Sequence, residues 1–177
     1  MRTAISIGWI AFCVFWLIAA AGAKAGAGGR GTLGPAIRVI VLAFVATRVA
    51  VGGGLEVHDL VLQVAGAIAF LAGIGLAVWA RIYLGRNWGM PMTQKAEPEL
   101  VTDGPYRVVR HPIYTGILLA LFGTALATNL YWLVIVACVG AYFVYSARVE
   151  ERNLIGTFPT QYPRYRARTK MLIPFVL

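Results

Sequence analysis

The sequence predicts an all-α integral membrane protein with about five transmembrane helices, of which the last two form a C-terminal helical hairpin. Three observations predict this class. Of the 177 residues, 59% are hydrophobic and only 13% are charged, which is too apolar for a soluble domain of this size. Several uncharged runs are long enough to cross a bilayer at about 1.5 Å per residue. The basic residues, which give a net charge of +9, flank these runs.

The N-terminal part of the chain predicts three crossings. Residues 3–23 and 60–80 are each uncharged over 21 residues. We expect the first to be a retained helix, because its apolar run exceeds the usual signal-peptide core of about 7–15 residues. Residues 35–52 predict a second crossing, with Arg38 and Arg48 near its ends, where long side chains can reach headgroups. The third helix also has glycines that would allow close packing against a neighbour: Gly66, Gly73 and Gly75.

The C-terminal part predicts a hairpin. Between His111 and Arg148 lie 36 uncharged residues, interrupted by a polar pair at 128–129, which predicts crossings over about 112–127 and 130–147. The open ends of the hairpin must then lie on one side of the membrane. The positive-inside rule places that side and the C-terminus in the cytoplasm and the N-terminus outside. The basic tail is expected to lie against anionic headgroups through Arg164, Arg166, Arg168 and Lys170.

Two polar clusters stand at the open ends of this hairpin. The first contains Tyr106, Arg107, Arg110, His111 and Tyr114, and the second contains Arg148, Glu150 and Glu151. Pro112 disfavours a helical conformation at His111 and itself suits the first helical position, so His111 should stand at the mouth of a helix. The clusters have two interpretations: a solvated helix end with salt bridges among the charged residues near 148–152, or a polar pocket for a ligand.

Other motifs exclude several classes of function. The histidines, cysteines and acidic residues show no spacing typical of a zinc site, and Cys13 and Cys138 lie inside apolar runs, where buried packing is the expected role. There is no Gly-x-Ser-x-Gly elbow, phosphate loop or dinucleotide fingerprint. The basic residues belong to no nucleic-acid-binding module.

The residues of the two clusters resemble a known family. The first stretch reads Leu100-Val-Thr-Asp-Gly-Pro-Tyr-Arg-Val-Val-Arg-His-Pro-Ile-Tyr-Thr-Gly116, and about 35 residues later the second reads Arg148-Val-Glu-Glu-Arg-Asn-Leu154. Together they resemble the isoprenylcysteine carboxyl methyltransferases, over about residues 80–177. The resemblance implies one transmembrane methyltransferase domain, residues 1–177, with three helices in 1–80 and a cytoplasmic cofactor pocket, hairpin and tail in 81–177.

The resemblance also implies roles for individual residues. The enzyme would transfer a methyl group from S-adenosylmethionine to a lipophilic acceptor that enters from the bilayer. The expected cofactor-binding residues are Leu100, Val101, Tyr106, His111, Pro112, Tyr114, Gly116, Glu150 and Glu151. Arg148 or Arg110 would orient an acceptor carboxylate, and Glu150, Glu151 or His111 would serve as a base if the acceptor were an amine or thiol. Glu151→Gln is expected to reduce cofactor affinity without disturbing the fold.

The resemblance leaves the acceptor open. An isoprenylcysteine-like carboxylate is the first choice, while phospholipid amines and small thiols are acceptors of broader relatives. A sterol-reductase-like enzyme that uses NADPH and a non-enzymatic lipid-binding or transport protein are the competing classes. The chain departs from the family at Phe158-Pro159, where the family usually has Phe-Gly, so the packing of the tail over the pocket is an open question.

Overall fold

The computed structural model describes residues 1–21, 26–27, 54–85, 94–95 and 99–174. Its helices are α1 (Arg2–Ala21), α2 (Leu60–Leu84), α3 (Pro112–Ala127), α4 (Trp132–Thr157) and α5 (Gln161–Arg168). A 3-10 turn covers Gly104–Arg107, and Gly26–Ala27 pairs antiparallel with Gln94–Lys95 over two residues. The described part of the chain is therefore helical, as predicted for an all-α membrane protein.

Three of the described helices are long and apolar enough to cross a membrane: Arg2–Ala19, Leu60–Leu84 and Trp132–Thr157. A fourth apolar helix, Pro112–Ala127, is shorter but coincides with the predicted first arm of the hairpin. The predicted second crossing, 35–52, lies outside the described residues, so the count of five crossings stays a prediction.

The helices form a bundle with two ends, which we call the turn end and the motif end. At the turn end, which comprises residues 54–59 and 128–131, the backbone N–H of Leu130 donates to Leu55 at 2.9 Å and Val57 donates to Thr128 at 3.1 Å. Arg2 joins this end through an ion pair with Glu56 at 2.6 Å. The motif end comprises residues 99–111 and 146–172, so α1, α2 and α4 run toward it and α3 runs away. The predicted juxtaposition of the two open ends of the hairpin is confirmed.

Glycines allow α2 and α3 to pack backbone against backbone. A Cβ atom built on Gly66, Gly73, Gly116 or Gly123 would come closer than 3.0 Å to backbone atoms of the other helix. These positions recur every seven residues on each helix and therefore form one seam. The prediction of close packing is confirmed for Gly66 and Gly73. It is wrong for Gly75, which lies on the exposed side of α2, where an added Cβ would have no described atom within 4 Å.

The α2 helix continues beyond the uncharged run of residues 60–80 to Leu84 and therefore includes Arg81. The side chain of Arg81 is buried, with 4% of the residue exposed. Its guanidinium donates to the carbonyl of Gly85 at 2.7 Å and to that of Ala19 near the end of α1. Carbonyls at helix C-termini lack helical partners and attract cations, so Arg81 ties the ends of α1 and α2 together.

The C-terminal tail packs along the start of α3 and the residues before it, and its residues 170–172 form hydrogen bonds there. Arg110 donates its backbone N–H to Lys170 at 2.8 Å, and His111 donates to Met171 at 3.1 Å. The hydroxyl of Thr115 donates to the carbonyl of Leu172 at 2.7 Å. Pro159 lies in the turn between α4 and α5 and does not prevent this packing.

Candidate active site

His111 stands at the mouth of α3, as its sequence context predicts. It is the N-cap residue, with φ −124°, and Pro112 occupies the first helical turn. The carbonyl of His111 accepts from the backbone and the hydroxyl of Thr115, at 3.1 and 3.2 Å. The backbone of His111 is therefore fixed by both α3 and the tail, and its buried imidazole faces α4.

Glu151 is the buried centre of an ionic cluster. Its Oε1 lies 2.6 Å from Nε of Arg110 and 3.5 Å from Nε2 of His111, and its Oε2 lies 3.5 Å from Nε of Arg166. Only 3% of the residue is exposed. Glu151 therefore does not lie at an open helix end, and the reason for expecting Glu151→Gln to leave the fold intact is removed. The ionic partners of Glu151 lie in two other segments of the chain, residues 110–111 and α5, instead of within 148–152.

Glu150 has a different environment, because 24% of its side chain is exposed. Its Oε1 accepts hydrogen bonds from the hydroxyl of Tyr114 and, at 3.1 Å, from Ser146. Its Oε2 lies 3.5 Å from Nδ1 of His111. Glu150 is thus an oriented carboxylate that a ligand can still reach.

Aromatic rings stack beneath these carboxylates. The His111 and Tyr114 rings are 5.4 Å apart and within 5° of parallel, and Tyr114 and Phe143 are 4.2 Å apart and within 10°. The electron-rich face of the Tyr114 ring attracts cations, and the His111 imidazole lies on it. The site therefore combines carboxylates with aromatic surface.

The pKa of His111 is raised from its ordinary value. Burial alone would lower it, but hydrogen bonds and charge interactions with Glu150 and Glu151 outweigh burial. The imidazolium is therefore favoured, and it bridges the two carboxylates of α4.

Three other predicted residues come from the segment 100–106. The buried Tyr106 donates its hydroxyl to Ala80 at 3.3 Å and accepts from Tyr165 at 2.7 Å through its carbonyl. Val101 packs against the hydrophobic core, and Leu100 lines an adjacent groove of about 680 Å³.

Three predicted residues do not point into the cluster. Pro112 is fully buried at the start of α3, and Gly116 lies in the seam with α2. Arg148 is exposed and forms no ion pair within the described part of the chain. Their predicted roles in binding or catalysis stay proposals.

Sequence reasoning missed two members of the site. Ser146 is fully buried and bonds both Tyr114 and Glu150, at 3.2 and 3.1 Å. Its position four residues before Glu150, on the same helix face, could have indicated it. Arg166 comes from the tail, and no local pattern in the sequence marks its approach to the hairpin.

Comparison with known proteins identifies the family. A profile described as phospholipid methyltransferase matches residues 61–161, which is more than half of the chain, and the chain belongs to this family. The resemblance to isoprenylcysteine methyltransferases is confirmed by the relatives that follow.

The chain is 41% identical over 69 residues to methanethiol S-methyltransferase 2 of Bradyrhizobium diazoefficiens, covering 39% of this chain and 26% of the relative. It is 30% identical over 115 residues to protein-S-isoprenylcysteine O-methyltransferase B of Arabidopsis thaliana, covering 63% and 58%. It is 29% identical over 115 residues to the protein-S-isoprenylcysteine O-methyltransferase of Schizosaccharomyces pombe, covering 62% and 49%. The chain thus spans less than two thirds of the length of each of these relatives.

Proposed function

We propose that this protein is a membrane-embedded methyltransferase that moves the methyl group of S-adenosylmethionine to a lipophilic acceptor. The first choice of acceptor is the carboxylate of an isoprenylcysteine-like molecule. One observation carries the proposal: the hairpin brings His111 and Tyr114 of the motif against Glu150 and Glu151 at one end of an apolar bundle. Membership of the methyltransferase family supports the same reading.

The residues at this end fit the proposed cofactor. S-adenosylmethionine carries an ammonium group, ribose hydroxyls and a positive sulfonium, and its sulfonium supplies an activated methyl group. The exposed edge of Glu150 would accept hydrogen bonds from the ammonium or the hydroxyls, and its negative charge would attract the sulfonium. Leu100, Val101 and Tyr106 would form the neighbouring wall.

Other residues would act by holding these groups in place. Glu151 fixes Arg110 and His111, while Pro112 sets the start of α3. Gly116 allows α3 to pack tightly on α2. Pre-organisation of this kind reduces the cost of ordering a site when a ligand binds.

A carboxylate acceptor needs orientation more than acid–base chemistry, because it is already a nucleophile. Arg110 is paired with Glu151, whereas Arg148 is exposed at the same end of the bundle. Arg148 is therefore the better candidate to orient the acceptor carboxylate, with Arg110 acting through Glu151. Positioning and exclusion of water would supply most of the rate.

The orientation in the membrane follows from the charges. Basic residues concentrate at the motif end, whereas the loop at the turn end contains Glu56 and Asp59. We therefore place the motif end and the C-terminus in the cytoplasm and the N-terminus outside. A water-soluble cofactor would enter from the cytoplasm, and an amphiphilic acceptor would enter sideways from the bilayer.

Methylation of a small thiol is the second candidate, and the 41% identity to a protein named methanethiol S-methyltransferase 2 favours it. A thiol must lose its proton before it attacks, so this reaction needs a base. Because the raised pKa of His111 favours its protonated form, Glu150 would be the proton acceptor. Methylation of a phospholipid amine, suggested by the family description, would need a base in the same way.

Two measurements test the proposal. Isothermal titration of detergent-solubilised protein with S-adenosylmethionine, S-adenosylhomocysteine and NADPH should show binding of the first two alone. Binding of NADPH instead would favour the reductase class, and binding of none would favour a lipid carrier. A radiolabelled methyl-transfer assay should then prefer long-tailed carboxylates, with apparent affinity falling by about 0.8 kcal/mol per buried CH₂ removed. If short water-soluble thiols were methylated equally well, the proposed acceptor would be a small molecule instead of a lipid.

A further inference from the structure

A groove of about 680 Å³ opens at the motif end. The segment 100–107 forms one wall, and α5 with Thr169 forms the other. Glu150 and Glu151 do not line it. The groove is therefore a separate concavity, although α5 borders both it and the ionic cluster.

The charges of the groove are unbalanced. Arg107 lies on the first wall and Arg164 and Arg168 lie on the second, and all three are exposed. None of them forms an ion pair with a described residue, in contrast to Arg166, whose charge faces Glu151. Asp103 is the one carboxylate among the described lining residues. Counted over these described residues, the groove has an excess of two positive charges.

Arginine in this arrangement suits a phosphate. The guanidinium is planar and offers paired N–H donors that match phosphate oxygens, and two walls of arginines can contact one phosphate from both sides. The groove lies where α2 ends and α3 begins, which is headgroup depth for helices that cross a bilayer. At that depth the most abundant phosphates belong to phospholipids, and each basic residue near an anionic surface contributes about 1 kcal/mol to binding.

We propose that this groove binds the headgroup of an anionic phospholipid, with Arg107, Arg164 and Arg168 on the phosphate and Asp103 accepting from headgroup hydroxyls. The groove shares Leu100 with the wall of the proposed cofactor site but contains neither Glu150 nor Glu151, and the proposal does not depend on the proposed reaction. Because Arg166 of the same helix contacts Glu151, a lipid bound here would also anchor α5 over the ionic cluster.

The test is native mass spectrometry of the full chain in detergent, with phosphatidylglycerol and phosphatidylcholine of identical acyl chains as probes. We expect the wild type to retain phosphatidylglycerol preferentially. Arg164→Gln/Arg168→Gln should weaken its retention by about 10- to 30-fold, and Arg107→Gln, on the opposite wall, should weaken it independently. Arg152→Gln/Lys170→Gln is the matched control, because it removes two exposed positive charges that do not line the groove.

Four results would overturn the proposal: equal retention of phosphatidylcholine, an equal loss in the control variant, displacement of the lipid by inorganic phosphate, or a matching loss of S-adenosylhomocysteine affinity in Arg164→Gln/Arg168→Gln. The third would assign the groove to a soluble phosphate, and the fourth to the cofactor. Failure of the wild type to bind S-adenosylhomocysteine would refute the proposed function and leave the lipid result standing.

Discussion

At the residue scale, the adjacent glutamates of α4 have different environments and therefore different expected roles. Glu151 is buried among Arg110, His111 and Arg166, whereas Glu150 is about a quarter exposed. One residue along the helix thus separates a carboxylate that holds the site together from one that can meet a ligand. Substitution by glutamine, which preserves shape and removes charge, can separate these roles.

Glu150→Gln should weaken binding of S-adenosylhomocysteine by about 10- to 150-fold, because a charge-assisted hydrogen bond contributes about 1.5–3 kcal/mol. The fold should remain, since the glutamine oxygen can still accept from Tyr114 and Ser146. Titration calorimetry on a monodisperse variant measures the change. Unchanged affinity would remove Glu150 from the proposed cofactor site.

Glu151→Gln, unlike Glu150→Gln, should lower the free energy of unfolding of the protein. It leaves the largely buried Arg110 without its charged partner, and breaking a buried pair from one side costs about 3–5 kcal/mol. The measurement is thermal unfolding in detergent of Glu151→Gln, Arg110→Gln and the double variant. Together they give the coupling energy between the two side chains. The double variant should be less destabilised than the two single losses combined predict. Additive losses would mean that the two side chains do not stabilise each other.

The raised pKa of His111 predicts a pH dependence. Since its folded pKa lies above the ordinary value of about 6.5, its contribution to stability is fully present below that value and is lost as pH rises through the folded pKa. Unfolding temperatures of the wild type and His111→Gln, measured from about pH 5.5 to 9, should therefore converge as pH rises. A constant difference across this range would show that His111 does not bridge the carboxylates as an imidazolium.

At the element scale, α2 and α3 pack through the glycine seam, and His111 stands at the start of α3. The glycine seam brings the two helix backbones into contact, so even one methyl group must displace backbone. The seam also accounts for a glycine at position 116, because a side chain there would collide with Gly73 and Ala77 of α2. The family resemblance had suggested a role in ligand binding for this residue.

Gly73→Ala should destabilise the protein by about 1–3 kcal/mol through overpacking, whereas Gly75→Ala should be neutral or slightly stabilising. The two glycines lie on the same helix and gain the same helix propensity, but only Gly73 faces α3. Unfolding of both variants in one detergent measures the difference. Equal effects would mean that the seam does not determine how α2 and α3 pack.

At the scale of the whole molecule, the described helices run between two ends of a bundle, which the predicted topology places on opposite sides of the membrane. Leu55 and Val57 bond to the hairpin turn, while the tail bonds to Arg110 and His111. This arrangement agrees with the predicted topology, in which the 54–59 loop lies outside and the site lies in the cytoplasm.

Reporter fusions after Asp59 and after Leu177 should report opposite sides, the first outside and the second cytoplasmic. The reason is that Asp59 precedes α2 at the turn end, whereas the tail follows α4 at the motif end. Both reporters on one side would contradict the packing of the bundle. Opposite sides in reversed order would contradict the positive-inside argument alone.

The sequence by itself determined the helical membrane class, the hairpin over residues 112–147 and the meeting of His111 with Glu150 and Glu151. Uncharged runs, prolines and hairpin connectivity are local signals, so these features follow from short stretches of chain. Only the tertiary structure decided that Glu151 is buried, that Gly116 belongs to a helix seam, that Gly75 packs on nothing described, and that Arg166 and Ser146 join the site. Burial and pairing depend on which segments meet in space. The tail reaches the hairpin through backbone hydrogen bonds to Arg110 and His111, and such bonds produce no periodic pattern of residue types in the sequence.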